Sequence, residues 1–229
     1  MNFERYALYY APSSESSLGQ FGNSWLGWNA ESKIPVSRPL IEGLNQFEIE
    51  TITKTPRRYG FHGTLKPPFR LNEKRNFNEL DTAITELANE LKPIKSVPLT
   101  LSKASNFLAF RPRDCKSAIS AIADSCVSQL DGFRAESSPE ELNKRRQNVL
   151  TNRQDDLLKQ WGYPYVMDEF RFHITLSNKL ESEHLDLLCK TLESHCDEIL
   201  TIPFIIDSLC LFGDPGAGQP FHCIKRYYL

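Results

Sequence analysis

The string Phe-His-x-Thr-Leu occurs twice in this chain, as Phe61-His62-Gly63-Thr64-Leu65 and as Phe172-His173-Ile174-Thr175-Leu176. A strand sends successive side chains to opposite faces. Read as a strand, each string sets a histidine beside a threonine and turns the flanking apolar residues to the other face. Imidazole, with an unperturbed pKa of about 6.5, takes or gives a proton near neutrality. A hydroxyl beside it can donate a hydrogen bond to developing negative charge. Two such pairs brought together suit a reaction that needs one base and one acid. A single His-x-Thr reads more simply as a half-buried histidine next to a β-branched strand former; the repetition is what points to catalysis.

Counting by two from each histidine, the polar face of the first strand reads Arg58, Gly60, His62, Thr64, Lys66, and that of the second reads Arg171, His173, Thr175, Ser177. Each histidine thus shares its face with a cation. A cation lowers the pKa of a nearby imidazole, and the arrangement suits a site that awaits a phosphate or another anion.

The rest of the composition bounds the function. A chain of 229 residues with 27 Lys and Arg against 29 Asp and Glu and 40% hydrophobic residues fits an ordinary globular protein. Long nucleic acid is an unsuitable partner, because binding it needs a broad basic surface; a local basic pocket for a small phosphorylated ligand is compatible with near-zero net charge. The start, Met1-Asn2-Phe3-Glu4-Arg5, has no apolar run of signal-peptide length, and no segment approaches the roughly 20 apolar residues of a membrane span, so no membrane association and a cytoplasmic location are expected. The cysteines at 115, 126, 189, 196, 210 and 223 contain no C-x-x-C pair and read as reduced core thiols. His184, Cys189, His195 and Cys196 have zinc-like composition. At about 100° per residue on a helix the histidines and the cysteines fall on different azimuths, so no metal site is expected there.

The elements that would position the histidines can be read from periodicity. Arg5 to Tyr10 is a predicted strand, ended by Ala11-Pro12 and a Ser-rich loop. After the first His strand, Leu80, Ile84, Leu87 and Leu91 give a helix over Asn78 to Leu91 that stops before Pro93. Val97 to Leu101 and Phe107 to Arg111 read as strands. Cys115 to Leu130 has helical spacing and would pack on the first lobe. After the second His strand come a helix near Glu183 to Ile199 and two strands, Ile202 to Phe212 and Phe221 to Tyr228, separated by a Gly-rich loop. Each half reads as strand with His, helix, strand, strand, the order of an internal duplication.

Residues 134–165 have no counterpart in the other half. Ser138-Pro139-Glu140-Glu141 is a capping-box start with proline at the first helical position, and Gly162 with Pro164 ends the helical pattern. Arg134, Lys144, Arg145, Arg146 and Arg153 make this the most basic stretch of the chain. It is either a solvated helical face or a lid whose arginines reach a substrate phosphate.

Two His-x-Thr strings on strands of related lobes resemble the 2H phosphoesterase superfamily. Further strings resemble its branch associated with phosphonate metabolism: Arg5-Tyr6-Ala7-Leu8-Tyr9-Tyr10-Ala11-Pro12, the run from Pro56 to Phe69, Phe133-Arg134-Ala135, and Trp161-Gly162-Tyr163-Pro164-Tyr165 leading into the second His string. The resemblance covers essentially the whole chain. Gly63 departs from it, since alanine is the more usual residue there; its side would face away from the cleft and bear on local packing.

The resemblance implies an α+β, bilobal, pseudo-two-fold fold, with antiparallel sheets facing a central cleft and helices outside. The expected division is a first lobe over 1–133, a helical insertion or lid over 134–165 and a second lobe over 166–229. It also implies hydrolysis of a small cyclic phosphate or phosphodiester, a cyclic nucleotide or cyclic ribose phosphate, with no cofactor and no metal. His62, Thr64, His173 and Thr175 are the expected catalytic residues. Arg58, Tyr59, Lys66, Arg134, Tyr165 and Arg171 are the expected substrate-binding residues. Which histidine is the base is open at this point. An RNA ligase-like or RNA end-processing reaction and a non-catalytic binder of phosphorylated ligands are the alternatives, and DNA is not expected as a partner.

Overall fold

The computed structural model describes residues 3–95, 98–114 and 116–229. Val97, at the head of one expected strand, and Cys115, expected both as a core thiol and as a helix start, lie outside the described residues, as do Met1, Asn2 and Ser96. In chain order the elements are β1 (Arg5–Tyr10), α1 (Ser17–Leu26), β2 (Trp28–Asn29), β3 (Ile34–Pro35), α2 (Gln46–Tyr59), β4 (Gly63–Phe69), α3 (Phe77–Glu90), β5 (Ile94–Lys95), β6 (Leu99–Ala104), β7 (Phe107–Pro112), α4 (Lys116–Gln129), α5 (Pro139–Arg146), α6 (Asn152–Trp161), β8 (Ile174–Thr175), α7 (Ser182–Cys196), β9 (Ile205–Ile206), β10 (Ser208–Asp214) and β11 (His222–Tyr228).

The main strands form one antiparallel sheet in the order β11-β10-β1-β4-β8-β7-β6. Its two halves meet between β4 and β8 through a single residue pair, Gly63 with Ile174. An antiparallel pair has a local two-fold axis. Here that axis carries His62 onto His173 and Thr64 onto Thr175, which gives the α+β fold its pseudo-two-fold centre.

One face of the sheet is packed by helices. Leu8, Leu65, Leu108, Phe110, Ile174 and Leu211 join Trp25 of α1, Ile84 of α3, Ile122 of α4 and Leu188 of α7 in the main core. These helices bury apolar stripes of 3.6 periodicity, and α3 begins with the capping box of Asn76 and Glu79. On the opposite face a smaller core of Ala7, Tyr9, Trp28, Phe212 and Phe221 covers only the β1 and β10 side. The middle of that face, where the His strings lie, stays open.

Several expectations are corrected. The division at 133 and 165 does not follow the sheet: β10 and β11, near the C-terminus, flank β1 and β4, while β6 and β7 flank β8. The hairpin that follows each His strand has crossed to the other half. The Ser-rich loop after β1 is in part the helix α1, capped by Ser16. The first His strand does not begin at Arg58. Arg57 and Arg58 close the last turn of α2, and Gly60, with φ 77°, turns the chain from that helix toward the strand.

Candidate active site

Both histidines stand one residue ahead of their strands, and both are anchored in the same way. The Nδ1 of His62 lies 2.9 Å from the Gly60 carbonyl, and the Nδ1 of His173 lies 2.8 Å from the Arg171 carbonyl. A carbonyl only accepts, so Nδ1 carries the proton in each ring and Nε2 keeps its lone pair. The Thr64 hydroxyl donates to Nε2 of His62 at 3.2 Å. Continuing the Gly63–Ile174 register places His62 across from Thr175 and Thr64 across from His173. The four side chains thus form the corners of one square on the open face.

His62, Thr64 and Thr175 line a cleft of about 660 Å³, together with Tyr9, Tyr59, Arg5, Arg145 and Tyr163. His173 adjoins it, its ring 5.5 Å from that of Phe107, which lines the cleft. Tyr9 stacks on His62 with centroids 3.8 Å apart and an interplanar angle of 27°. Trp25 reaches through the core to donate from Nε1 to the Leu176 carbonyl at 2.7 Å, and Leu108 N–H donates to Ser177 Oγ at 2.9 Å, so the second string is held from both sides.

The electrostatics follow from burial. His62 is pushed down to about 4, chiefly because its charged form is desolvated; the bond to Gly60 opposes the shift, and the nearness of His173 adds to it. His173 is also lowered, again by burial first, with Arg111 contributing and the Arg171 carbonyl opposing. The expectation that cations on the histidines' own strands would set these values is therefore corrected: desolvation dominates, and the contributing cation belongs to β7.

The substrate-binding expectations divide. Tyr59 lines the cleft. Lys66 does not, because register shifts between β1 and β4 place it opposite Leu8, on the core face. Its Nζ donates to the Val127 carbonyl at 3.0 Å, and burial pushes it down to about 8. Arg58 ends a helix and pairs with buried Asp214 at 3.5 Å. Arg134 is held by Asp131 at 2.8 Å and by the Gln160 carbonyl, and it lines a neighbouring basic cavity. Tyr165 is exposed and packs edge-on against Tyr163, which occupies the cleft wall in its place. Arg171 donates to the Asp168 and Phe170 carbonyls and borders a further cavity beside His173.

Of the basic insertion, Arg146 pairs with Asp155 and Arg153 with Asp168. Arg145, over the Tyr163 ring at 4.6 Å, is the one that lines the cleft. Tyr9, Arg5 and Arg111 were not singled out from sequence. Two-residue alternation along β7 puts Arg111 on the face of Phe107, but its place beside His173 depends on a strand pairing that local sequence does not record.

Among the described residues no three His, Cys, Asp or Glu side chains group as metal ligands. On α7, Cys189 and Cys196 are buried while His184 and His195 are exposed. The described cysteines, 126, 189, 196, 210 and 223, are free and buried. Among the described residues no helix is long and apolar enough to cross a membrane.

A family described as "Protein of unknown function (DUF1045)" matches residues 64–222, a span that includes both threonines and His173. The chain belongs to this family. Two curated relatives are named ribose 1,5-bisphosphate phosphokinase PhnN. That of Janthinobacterium sp. (strain Marseille) is 36% identical over 221 residues, covering 95% of this chain and 49% of the relative. That of Laribacter hongkongensis (strain HLHK9) is 31% identical over 227 residues, covering 98% and 52%. The chain spans about half the length of the curated relatives it matches. Two solved structures are distantly similar, each match covering 100% of this chain and 99% of the other: a phosphoesterase, at 15% identity and TM-score 0.43, and E. coli LigT complexed with 3'-AMP, at 12% and 0.45.

Proposed function

We propose that the chain is a phosphoesterase that hydrolyses a small cyclic phosphate, with His62 as general base and His173 as general acid. The observation that carries this reading is the symmetric placement of two Nδ1-anchored histidines, each with a threonine, about the Gly63–Ile174 pair. His62, held neutral down to about pH 4, takes a proton from water as the water oxygen bonds to phosphorus. His173, in its protonated form, gives a proton to the ester oxygen as the phosphorus–oxygen bond to it breaks. The product is a phosphate monoester, and the two histidines have exchanged charge states. Thr64 and Thr175 donate to the non-bridging oxygens, where charge accumulates. None of these steps calls on a metal or cofactor.

The curated relatives' name supports a phosphorylated ribose as the substrate class. A phosphokinase of the P-loop type needs G-x-x-x-x-G-K-[ST], and this chain contains no Gly-Lys pair. We therefore assign the kinase activity in that name to the half of the relatives that this chain does not match. The half it does match would yield a ribose phosphate monoester from a cyclic one. The resemblance to proteins of phosphonate metabolism points to the same class. A cleft of about 660 Å³ is of small-molecule size.

The test is a panel of cyclic ribose phosphates, 2′,3′-cyclic nucleotides, linear diesters and 2′-5′ linked oligonucleotides, with products followed by phosphorus NMR. Ring opening of a cyclic phosphate, lost in His62→Ala and His173→Ala, is expected. Turnover of linear oligonucleotides alone would replace this reading with the RNA end-processing one.

A further inference from the structure

Beside His173, away from the cleft already described, lies a second cavity of about 490 Å³. Its walls carry Arg111 from β7, Arg113, Lys116 from the first turn of α4, and Arg171, with the hydroxyls of Thr100, Ser102, Ser117 and Ser120. No aspartate or glutamate lines it, and Asp114, next to Arg113 in the chain, is not among its walls. None of the four cations is in an ion pair among the described residues, and Arg111 Nε is buried without a hydrogen-bond partner.

The contrast with the other basic cavity decides between them. There Arg5 is held by Asp214, Arg70 by Glu141 and Arg134 by Asp131, so most of the charge is already neutralised. Four unpaired cations around one cavity repel one another, and an anion relieves that repulsion. Arginine forks and hydroxyls match phosphate oxygens in number and geometry.

The position relative to the tetrad narrows the ligand. Thr100 faces Arg111 and Ser102 faces Ala109 across the β6–β7 ladder, and Ala109 in turn faces Thr175. Thr100, Ser102 and Arg111 therefore wall the cavity from the open face, one to two strands from Thr175, while Phe172 and the Ser117 and Ser120 hydroxyls of α4 wall it from the helix-packed side. With strands about 4.8 Å apart, that separation is on the order of 5–10 Å. Two phosphates carried on different hydroxyls of one sugar ring can be set that far apart.

We propose that the cavity framed by Arg111, Arg113, Lys116 and Arg171 is a second anion subsite, which holds a phosphate monoester carried on the same sugar as the phosphate diester under attack. It rests on the phosphoesterase reading for its substrate and makes that substrate doubly phosphorylated.

Two measurements test it, on wild type and on Arg113→Gln/Lys116→Gln, both exposed positions, with circular dichroism to confirm folding. The first is calorimetric binding of ribose 5-phosphate, which has a monoester and no diester. Its affinity is expected to fall by about tenfold or more in the double variant. Equal affinity in both proteins, or no binding to wild type, would overturn the subsite. The second is the ratio of kcat/KM for a ribose cyclic phosphate with a 5-phosphate to that for the same compound without it. That ratio is expected to exceed one in wild type and to fall by about tenfold or more in the variant. An unchanged ratio, or a larger fall in Lys144→Gln/Arg145→Gln, would move the monoester elsewhere and overturn the proposal. If wild type hydrolyses neither compound, the catalytic reading fails while the binding measurement still decides the subsite.

Discussion

The sharpest consequence of the site is that His62 stays neutral, as the Nδ1–H tautomer, far into the acid range. With its pKa at about 4, about one molecule in a hundred is protonated there at pH 6, against about three in four for an unperturbed imidazole. The lowering from 6.5 to about 4 corresponds to between about 1 and 3 kcal/mol once solvent in the cleft is allowed for. Because the folded-state value is depressed, the unfolded chain binds more protons between about pH 6.5 and pH 4. Stability is therefore lost as pH falls through that window, and His62→Gln is expected to flatten the loss. Two assays read this out. Long-range nitrogen–carbon-bound-proton NMR gives the tautomer and the titration midpoint, and urea unfolding at stepped pH gives the stability slope. Inorganic phosphate in the cleft favours the charged ring and should raise the midpoint. A midpoint at or above 6.5 in the phosphate-free protein, or the Nε2–H tautomer, would refute the reasoning and remove His62 as the base.

Other perturbations separate the remaining parts of the argument. His62→Ala and His173→Ala should each lower turnover of a cyclic phosphate by at least about 10²-fold, with the double variant well short of the product, while Thr64→Val and Thr175→Val should cost on the order of 10-fold or more; full activity in a folded single His variant would refute the pairing. Incubation with EDTA should leave the rate unchanged, and a loss restored by one divalent ion would overturn the acid–base scheme. A Cβ at Gly63 would sit 2.3 Å from the Phe172 ring, so Gly63→Ala should destabilise by about 1–3 kcal/mol, and Phe172→Leu should recover part of it; an unaffected Tm would contradict the packing. Lys66, lowered to about 8 by burial, makes the folded state gain stability as pH rises from about 8 toward its unfolded value. Lys66→Met should abolish that gain in urea unfolding, and the same slope in the variant would place its source elsewhere.

How much was legible depended on whether a feature is local. β1 declares itself as a short apolar, aromatic run closed by Ala11-Pro12, α3 through the helical spacing of Leu80, Ile84 and Leu87, and the helical insertion through its Ser-Pro-Glu-Glu start. The helix α1 was hidden because Gly19 and Gly22 weaken its propensity. Those glycines are needed for packing: a Cβ on Gly19 would lie 2.0 Å from the Ser13 carbonyl oxygen, and one on Gly22 would lie 2.1 Å from the Phe61 ring. The helix thus carries its poor formers at its two close approaches, Gly19 on the preceding loop and Gly22 on the first His string. α2 has a legible capping box in Asn45 and Glu48, but Pro56 near its end reads as a break, and the counting by two ran back from His62 into a helix. Within the site, alternation holds for His62 with Thr64 and fails one step later, where the irregular pairing of β4 turns Lys66 inward. A bulge leaves no local mark that a count by two can detect.

The same distinction explains why the sequence could name the pair but not the roles within it. The two strings are equivalent in their own residues, and both rings are fixed by the carbonyl two positions earlier, so nothing in either motif makes one histidine the base. The difference comes from what the crossed topology brings near. His62 lies against Tyr9 of β1, with Phe212 of β10 and Tyr59 of α2 around it, and is desolvated by aromatic rings from both ends of the chain. His173 has Phe107 and the charge of Arg111, both from β7, and its neighbours Arg171 and Phe172 line the cavity proposed as the anion subsite. An anion there would supply what His173 lacks as an acid, a negative field that favours its protonated form, while leaving His62 under its rings. Under the proposed roles, a doubly phosphorylated substrate would help to protonate the histidine that serves its leaving oxygen, and the choice of acid would follow from which half of the sheet the second phosphate occupies.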